Sequence, residues 1–297
     1  MSVKFGPILI TGADTGIGRA TAIGLANRGY KVYASVYSEI NIEELEKIDN
    51  VNAFKLDVTN PEDISAIKKW IEAKGEGLYG IVNNAGIGET WPLIESTEEE
   101  IHRIININLY GVIRVTTALM PLLTQSKGRV VTIGSLSGTI PTKFIGAYSV
   151  SKFAVEAFVD VLSFEVKKMG IKAITIKPGN MKSDITKAGV PILISRRDRF
   201  EKSQYKAEFQ PLYDNIDNAK YLERRAYETP ERVIDAIAHA LYSENPKSKY
   251  LVANEEECQN AINWMCRVIA QLNQNQDHSL DKATIHQFLD KQLDKFQ

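Results

Sequence analysis

The sequence predicts an α/β fold whose centre is a parallel sheet of about seven strands. Short apolar runs alternate with stretches of helical spacing along most of the 297 residues. A glycine-rich turn directly joins the first apolar run to the first helical stretch, and polar motifs follow several of the later runs. Strands that are separated by helices form right-handed parallel units. Such sheets bind ligands at the carboxyl ends of their strands, where these polar motifs fall.

Composition narrows the class of protein before any motif is considered. The chain is 44% hydrophobic and 25% charged with a net charge of −1, which is ordinary for a globular protein and gives no argument for nucleic-acid partners. The first twelve residues are too short an apolar stretch for a signal peptide or membrane anchor, and we expect no later segment to reach a spanning length of apolar residues. Cys258 and Cys266 fall in one predicted helix, about 12 Å apart, and cannot form a disulfide there. We therefore expect a cytoplasmic protein.

The first unit runs from a strand at Pro7–Thr11 to a helix at Gly16–Arg28. Between them lies TGADTGIG, residues 11–18, with glycines at positions 12, 16 and 18. Such glycines allow a tight turn and a close approach of the backbone to a pyrophosphate at the helix N-terminus. Their spacing is GxxxGxG and differs from the GxGxxG motif of other dinucleotide-binding proteins.

The next strands end in residues that bear on ligand choice. The second strand, Lys31–Val36, ends before Tyr37 and Ser38, so neither an acid for a ribose hydroxyl nor a base for a 2′-phosphate follows it directly. A third strand, Ala53–Val58, contains Asp57. The fourth, Gly80–Val82, leads into NNAG at 83–86, which suits either a backbone that lies against a ligand or a simple turn.

The second half of the chain continues the alternation. Thr97 and Glu100 form a capping box, and the helix that it starts carries Asn108 on its apolar side, as a hydrogen-bonding hub or a polar rim residue. The remaining strands are predicted at Gly128–Ile133, Lys172–Ile176 and Tyr250–Ala253, with a long helix from Tyr148 to Lys168.

Tyr148 and Lys152 carry the strongest chemical signal of the sequence. At positions i and i+4 of a helix they lie on one face, about 6 Å apart along the axis. A nearby ammonium favours the phenolate, so we expect a lowered pKa for Tyr148 and proton transfer near neutral pH. The alternative is a core tyrosine beside a solvated lysine.

Taken together, these motifs resemble the short-chain dehydrogenase/reductase (SDR) family over residues 5–255, and in detail its retinol and hydroxysteroid dehydrogenase branch. The resemblance implies a Rossmann-type doubly wound sheet with helices on both faces. It also implies a catalytic tetrad. Tyr148 is the general acid/base, and Lys152 lowers its pKa and holds the nicotinamide ribose. Ser135 binds the substrate oxygen, with Ser137 as its rival, and Asn108 anchors a water that connects Lys152 to solvent.

The resemblance also implies an NAD or NADP site and no metal ligands. The absence of a base at Thr15 and Tyr37 favours NAD slightly. Gly12, Gly16 and Gly18 contact the pyrophosphate, Asp57 and Val58 the adenine, Asn84 and Ala85 the adenosine ribose, and Pro178 and Gly179 the nicotinamide. The full set of cofactor-binding candidates is Gly12, Asp14, Thr15, Gly16, Ile17, Gly18, Tyr37, Asp57, Val58, Asn84, Ala85, Gly86, Tyr148, Lys152, Pro178 and Gly179.

Two further regions are set apart by sequence. Residues 180–228 are predicted to form a substrate-binding lid that mixes apolar residues 190–194 with Arg196, Arg197 and Arg199, which either bind an anionic substrate tail or form a solvated face. Residues 256–297 are predicted as a helical C-terminal extension beyond the catalytic domain at 1–255, with Ser279 capping its second helix. Family members often form homodimers or homotetramers through the helices that carry Asn108 and Tyr148, and we expect the same here, with membrane contact disfavoured.

The predicted function is oxidation and reduction between a secondary alcohol and a ketone, or an alcohol and an aldehyde, with a bulky apolar substrate of steroid, retinoid or lipid type. The long lid disfavours a 3-oxoacyl reductase. A nucleotide-binding regulator without catalysis is the non-enzymatic alternative, and the complete tetrad argues against it.

Overall fold

A computed structural model of the protein describes residues 5–181, 185–218, 229–274 and 277–296. Its centre is a seven-stranded parallel sheet with the strand order β3-β2-β1-β4-β5-β6-β7. The strands are β1 (Ile8–Ile10), β2 (Val32–Val36), β3 (Val51–Lys55), β4 (Gly80–Asn83), β5 (Arg129–Ile133), β6 (Lys172–Pro178) and β7 (Lys249–Val252). The order reverses between β1 and β4, as in a doubly wound sheet. The predicted fold class is confirmed.

Helices of the first unit cover both faces of the sheet. The helices of the chain are α1 (Gly16–Asn27), α2 (Ile42–Glu46), α3 (Pro61–Lys74), α4 (Glu98–Ile105), α5 (Val112–Ser126), α6 (Gly146–Val166), α7 (Ile185–Ser195), α8 (Arg197–Glu201), α9 (Lys206–Asp217), α10 (Glu231–Tyr242), α11 (Glu255–Gln274) and α12 (Lys282–Leu293). Alternate residues of a strand point to opposite faces. Accordingly Ile8 and Ile10 pack into one core layer with α1 and α10, whereas Leu9 packs into the other with α3, α5 and α6.

Three predicted boundaries are corrected by local hydrogen bonds. The third strand ends at Lys55 rather than Val58, because the backbone N–H of Asp57 turns away to the Asp63 carboxylate (2.9 Å). The helix of the Tyr–Lys pair starts at Gly146, with Ser149 N–H bonded to Ile145 C=O. The last helix is capped by Asp281, which accepts the Thr284 N–H at 2.8 Å, and not by Ser279.

The chain divides into two compact units, Met1–Ala253 and Asn254–Gln297. In the second unit α11 contains both cysteines, which are free thiols as expected. The turn before α12 is held by Asn273, whose side-chain amide makes two hydrogen bonds with the Leu280 backbone (2.8 and 2.9 Å). The predicted apolar positions on α11 are exposed except for Ala261; they are Ile262, Met265, Ile269 and Leu272.

One continuous helical stretch, Glu98–Ser126, is long and apolar enough to cross a membrane by length and composition. The expectation that no segment reaches spanning length is therefore wrong by this measure. The stretch is weak evidence for a membrane span, because core helices of folded domains pass the same test, and here Val115, Leu119 and Leu123 pack in the core.

Candidate active site

Tyr148, Lys152 and Ser135 meet at the carboxyl end of β5. Tyr148 lies in the first turn of α6, and Ser135 lies two residues after β5 ends. The Ser135 hydroxyl oxygen accepts the N–H of Ser137 (3.0 Å), so its own proton is free to be donated. That hydroxyl hydrogen-bonds the Tyr148 side chain. The structure therefore brings the predicted serine and tyrosine together, while Ser137 contributes a backbone amide that orients Ser135.

Lys152 is buried directly beneath the same site. Its ammonium donates to the carbonyl of Ile133 at 2.7 Å and lies 5.7 Å from the centre of the Tyr148 ring. Burial lowers the pKa of Lys152 from 10.5 to about 8, while the negative charge of Glu156 acts in the opposite direction. Lys152 is therefore a titratable cation close to neutral pH, and the alternative of a solvated lysine is wrong.

The expected lowering of the Tyr148 pKa is also wrong. Burial raises the pKa of the Tyr148 phenol, and the hydrogen bond from Ser135 offsets only part of that effect. The reason is that removing a phenolate from water is costly and the Lys152 ammonium is directed at Ile133 C=O instead of at the phenol. The phenol is consequently the stable form at neutral pH.

The sequence predicts either a hydrogen-bonding hub or a polar rim residue at Asn108, and the structure shows the hub. Its side chain accepts from Ile87 N–H (2.8 Å) and donates to Ile87 C=O (2.9 Å) and to the Ser151 hydroxyl (2.9 Å). It lies in a π-helical turn, Asn106–Gly111, between α4 and α5. Such turns are frequent at functional sites. Asn108 thus joins the segment after β4 to the helix of Tyr148 and Lys152.

The glycine-rich turn is locked to the end of β4. The Asn84 side chain donates to the carbonyls of Thr11 and Gly12, both at 2.9 Å, and the Thr11 hydroxyl accepts from Asn84 and Ala85 N–H, both at 3.0 Å. A Cβ on Gly18 would lie 2.2 Å from the Gly12 carbonyl oxygen. The glycines at 12 and 18 are thus required by contact within the protein, while Gly16, with φ of +56°, opens α1.

The remaining predicted cofactor residues lie around this turn. Asp14 accepts the backbone N–H groups of Tyr37 (2.8 Å) and Ser38 (3.1 Å), which ties the glycine turn to the end of β2. Thr15 has extended backbone at the N-cap of α1 and makes no capping hydrogen bond with its side chain. Ile17 packs against the core. Each of these residues lies on the carboxyl side of the sheet.

The other predicted cofactor residues also make contacts within the protein. The Asp57 carboxylate accepts from Thr59 N–H and hydroxyl (2.8 and 2.7 Å), and Val58 packs against Gly111, where a Cβ would lie 2.6 Å from it. Gly86 faces Asn108, and a Cβ there would lie 3.2 Å from Oδ1. Pro178 ends β6, and the Gly179 N–H bonds to Val252 C=O at 2.8 Å.

Arg196 and Arg199 form an ionic cluster with Glu89 and Glu100, which neither predicted use describes. Arg197 instead pairs with Asp217 at the exposed surface, as the predicted solvated face requires. Arg196 is 4% exposed and contacts Glu89 (2.7 Å) and Glu100 (2.8 Å), while Arg199 contacts Glu100 at 2.6 Å. Both guanidinium groups also lie over the Trp91 ring. Arg196 and Arg199 hold the described part of the lid to the segment after β4, and these two are not available to a substrate anion. Residues 182–184 and 219–228 of the predicted lid lie outside the described residues.

Sequence reasoning missed two residues beside the site. Glu156 stands one helical turn after Lys152 on α6, and Lys177 immediately precedes Pro178; their charges are 2.9 Å apart. The spacing of four residues from Lys152 to Glu156 was available in the sequence. What it could not reveal is that Glu156 is buried, because its neighbours come from other strands.

A doubly wound sheet with a serine, a tyrosine and a lysine at its carboxyl edge defines the class as a Rossmann-type oxidoreductase. A family profile described as short chain dehydrogenase matches residues 7–191. Rat 17-beta-hydroxysteroid dehydrogenase type 6 is 34% identical over 251 residues, which cover 82% of this chain and 79% of the relative. Human retinol dehydrogenase 16 is 33% identical over 260 residues with the same two coverages. The chain belongs to the short-chain dehydrogenase family, and the predicted resemblance to its retinol and hydroxysteroid branch is confirmed.

Solved structures support the fold. A short-chain dehydrogenase from Streptomyces avermitilis superposes with a TM-score of 0.76 at 24% identity. The superposition covers 92% of this chain and 96% of the dehydrogenase chain. The ligand-free aldohexose dehydrogenase of Thermoplasma acidophilum has a TM-score of 0.66 at 23% identity.

Proposed function

We propose that the protein is a nicotinamide-dependent oxidoreductase that interconverts a bulky apolar secondary alcohol and its ketone, or an alcohol and its aldehyde. The observation that carries the proposal is the meeting of Tyr148, Ser135 and Lys152 at the end of β5. A protein that only bound a nucleotide would need no serine hydroxyl beside a partly buried phenol and a titratable lysine. Family membership gives the reaction class, and the residues below give the roles.

The chain itself supplies orientation and proton transfer. Ser135 donates its hydroxyl proton to the substrate oxygen, and the N–H of Ser137, bonded to one lone pair of that hydroxyl, orients it for this role. Tyr148 delivers a proton to that oxygen during reduction, and because its pKa is raised the proton is present at neutral pH. During oxidation the phenolate accepts the proton, so oxidation should be faster at alkaline pH. Lys152 supplies positive charge below both groups, and Asn108 fixes the neighbouring backbone.

The residues of the glycine turn fit a dinucleotide. Helix α1 has no acidic residue in its first turn and no side-chain cap at Thr15, which leaves its N–H groups for a pyrophosphate. Gly12, Gly16 and Gly18 line that turn, and Pro178 and Gly179 lie at the nicotinamide end. When bound, the nicotinamide supplies or accepts the hydride.

Charges near β2 support NAD over NADP. Asp14 lies beside Tyr37 and would repel a 2′-phosphate. The nearby cations are engaged, Arg19 with Glu44 (2.7 Å) and Lys55 with Glu39 (3.4 Å). A phosphate would therefore have to compete with carboxylates for either cation.

An apolar substrate is supported by the lid and by the similarity to retinol dehydrogenase 16 and 17-beta-hydroxysteroid dehydrogenase type 6. The described lid has its own apolar core, which packs against Trp91 and Phe144. Trp91 N–H bonds to Phe144 C=O (2.7 Å), four residues before Tyr148. The lid therefore packs with aromatic side chains against the segment that leads into α6 and Tyr148.

Assembly is proposed from the surface of α6. Exposed apolar side chains form a stripe on α6, and the members of the stripe are Val150, Phe153, Val161 and Phe164. Such a stripe supports a homodimer or homotetramer through α6, as expected for the family. We retain a cytoplasmic location as a proposal.

Fluorescence titration with NADH and with NADPH tests the proposal first. Trp91 should report binding, because its backbone is joined to the segment that leads into α6, so quenching should weaken in a Trp91→Phe variant but persist in Trp264→Phe. We expect tighter binding of NADH, followed by NAD-dependent oxidation of retinol or a hydroxysteroid. Binding of neither nucleotide by the folded protein would refute the proposal. Faster turnover of 3-oxoacyl substrates than of retinoids or steroids would refute the substrate class.

A further inference from the structure

A buried carboxylate lies on the same face of α6 as the proposed catalytic pair. Tyr148, Lys152 and Glu156 follow one another at intervals of four residues, and Glu156 is only 6% exposed. A buried carboxylate is costly unless it is paired. Its partners are the ammonium groups of Lys177 at 2.9 Å and Lys249 at 3.4 Å. No directed hydrogen bond from the described residues reaches either carboxylate oxygen, so its environment is set by charge.

The loop that carries Ser135 is built around this carboxylate. A Cβ on Gly134 would lie 2.6 Å from Glu156 Oε1, and a Cβ on Gly138 would lie 3.3 Å from Glu156 Cγ. Glycine at position 134 leaves the space that the Glu156 carboxylate occupies, and glycine at position 138 leaves space for the Lys152 carbonyl, 2.8 Å from its Cβ position, as well as for Glu156. Ser135 therefore sits between two glycines that contact Glu156.

Lys177 connects Glu156 to the end of β6. Besides its ion pair with Glu156, its ammonium donates to the Thr139 hydroxyl at 3.1 Å. Lys177 immediately precedes Pro178 and Gly179, which are proposed to contact the nicotinamide. Glu156 thus connects α6, the Ser135 loop and the end of β6.

The titratable groups around Lys152 are Tyr148 and Glu156 on the same helix. Glu156 in turn faces Lys177 from β6 and Lys249 from β7, and Lys249 is also paired with Asp160 at 2.6 Å. Burial favours the neutral amine of Lys152, and Glu156 is the group that opposes this and raises its pKa.

We propose that Glu156 is a positioning residue that keeps Lys152 in its ammonium form and holds the Ser135 loop and Lys177 around it. The catalytic meaning of this role rests on the proposed function. The coupling between the charges does not, and it can be measured without turnover.

The test is an NMR titration of the protein with 13C-labelled lysines, following the Lys152 Cε resonance, which Lys152→Arg identifies by its loss. Glu156→Gln removes the anion and should lower the Lys152 midpoint by about one pH unit. Lys177→Gln removes a cation and should raise it. Opposite shifts are the signature of charge coupling, because a packing defect would not reverse its sign between the two variants.

Glu165→Gln, on the exposed side of the same helix, is the matched control and should leave the midpoint unchanged. Glu156→Asp should retain most of the wild-type midpoint. Shifts of the same sign in Glu156→Gln and Lys177→Gln, or no shift in both, would overturn the proposal. If Glu156→Gln does not fold, an unmoved midpoint in Lys177→Gln overturns it alone.

Activity then separates this proposal from the proposed function. In Glu156→Gln the alkaline limit of turnover should move to lower pH by the same amount as the Lys152 midpoint. Opposite NMR shifts in a protein that binds no nicotinamide nucleotide would support the coupling and refute the proposed function.

Discussion

Two clusters in this protein bury carboxylates to the same extent but pair them with different cations. Glu156, beside the candidate site, is 6% exposed and faces lysines, whereas Glu89, under the lid, is 7% exposed and faces Arg103 and Arg196. A buried lysine can lose its proton, and the pKa of Lys152 is lowered to about 8. A guanidinium remains charged at any accessible pH. The site cluster can therefore respond to pH, while the lid cluster is a permanent attachment.

The largest expected effect is a loss of turnover when a residue of the candidate site is replaced. Tyr148→Phe removes the proton donor but retains the ring, so kcat should fall by about 10²–10⁴-fold while the NADH Kd changes little. Steady-state kinetics and fluorescence titration measure the two quantities. Tyr110→Phe, at an exposed position, is the control and should behave as wild type. A kcat within a few-fold of wild type for Tyr148→Phe would exclude it as the acid.

Replacing a residue of the lid cluster, Glu89 with Arg103 and Arg196, should instead lower the free energy of unfolding. Arg196→Met leaves Glu89 buried with only Arg103 as partner and removes one cation from Glu100, which should cost about 3–5 kcal/mol of unfolding free energy. Urea denaturation measures this loss, and KM for a bulky substrate should rise more than kcat falls. Arg197→Met, whose pair with Asp217 is exposed, is the matched control next in sequence. Equal stability of the two variants would contradict the assignment of Arg196 as the lid attachment.

The site cluster should show a pH-dependent stability that the arginines lack. Because the pKa of Lys152 is about 8 in the folded protein and 10.5 when exposed, the unfolded chain holds more protons between these values. Stability should therefore rise with pH across that window, by about 3 kcal/mol in total from this group. In Lys152→Met this contribution is absent. The unfolding free energy of the wild type minus that of Lys152→Met should therefore increase from pH 7 to pH 10. A difference that stays constant would mean that Lys152 is not perturbed.

The smallest effect is expected at an exposed pair on the lid. Glu201 forms an ion pair with Lys206 in which the side chains are 52% and 46% exposed. Glu201→Gln should change the unfolding free energy by about 0.5 kcal/mol or less, because water already screens both charges. Urea denaturation at low and high salt measures it. A loss comparable with that of Arg196→Met would show that burial does not separate the two kinds of lid charge.

Much of the fold follows from local sequence because local interactions decide it. The capping box at Thr97 and Glu100 is present with both of its hydrogen bonds. The interval between Tyr148 and Lys152 puts both on one face of α6 whatever surrounds them. The alternation of strands and helices leaves few topologies besides a doubly wound sheet.

The electrostatics of the site were decided by the tertiary structure. The sequence places an ammonium near Tyr148 and so predicts a lowered pKa for its phenol. In the fold, packing around the phenol desolvates it and raises that pKa, and the Lys152 ammonium is directed at Ile133 C=O. In the same way Arg196 meets Glu89, which lies 107 residues away in the chain. Sequence spacing determines which side chains share a helix face. Burial is the sum of contacts from strands and helices that are distant in sequence, so only the folded chain determines which charges are kept and which are lost.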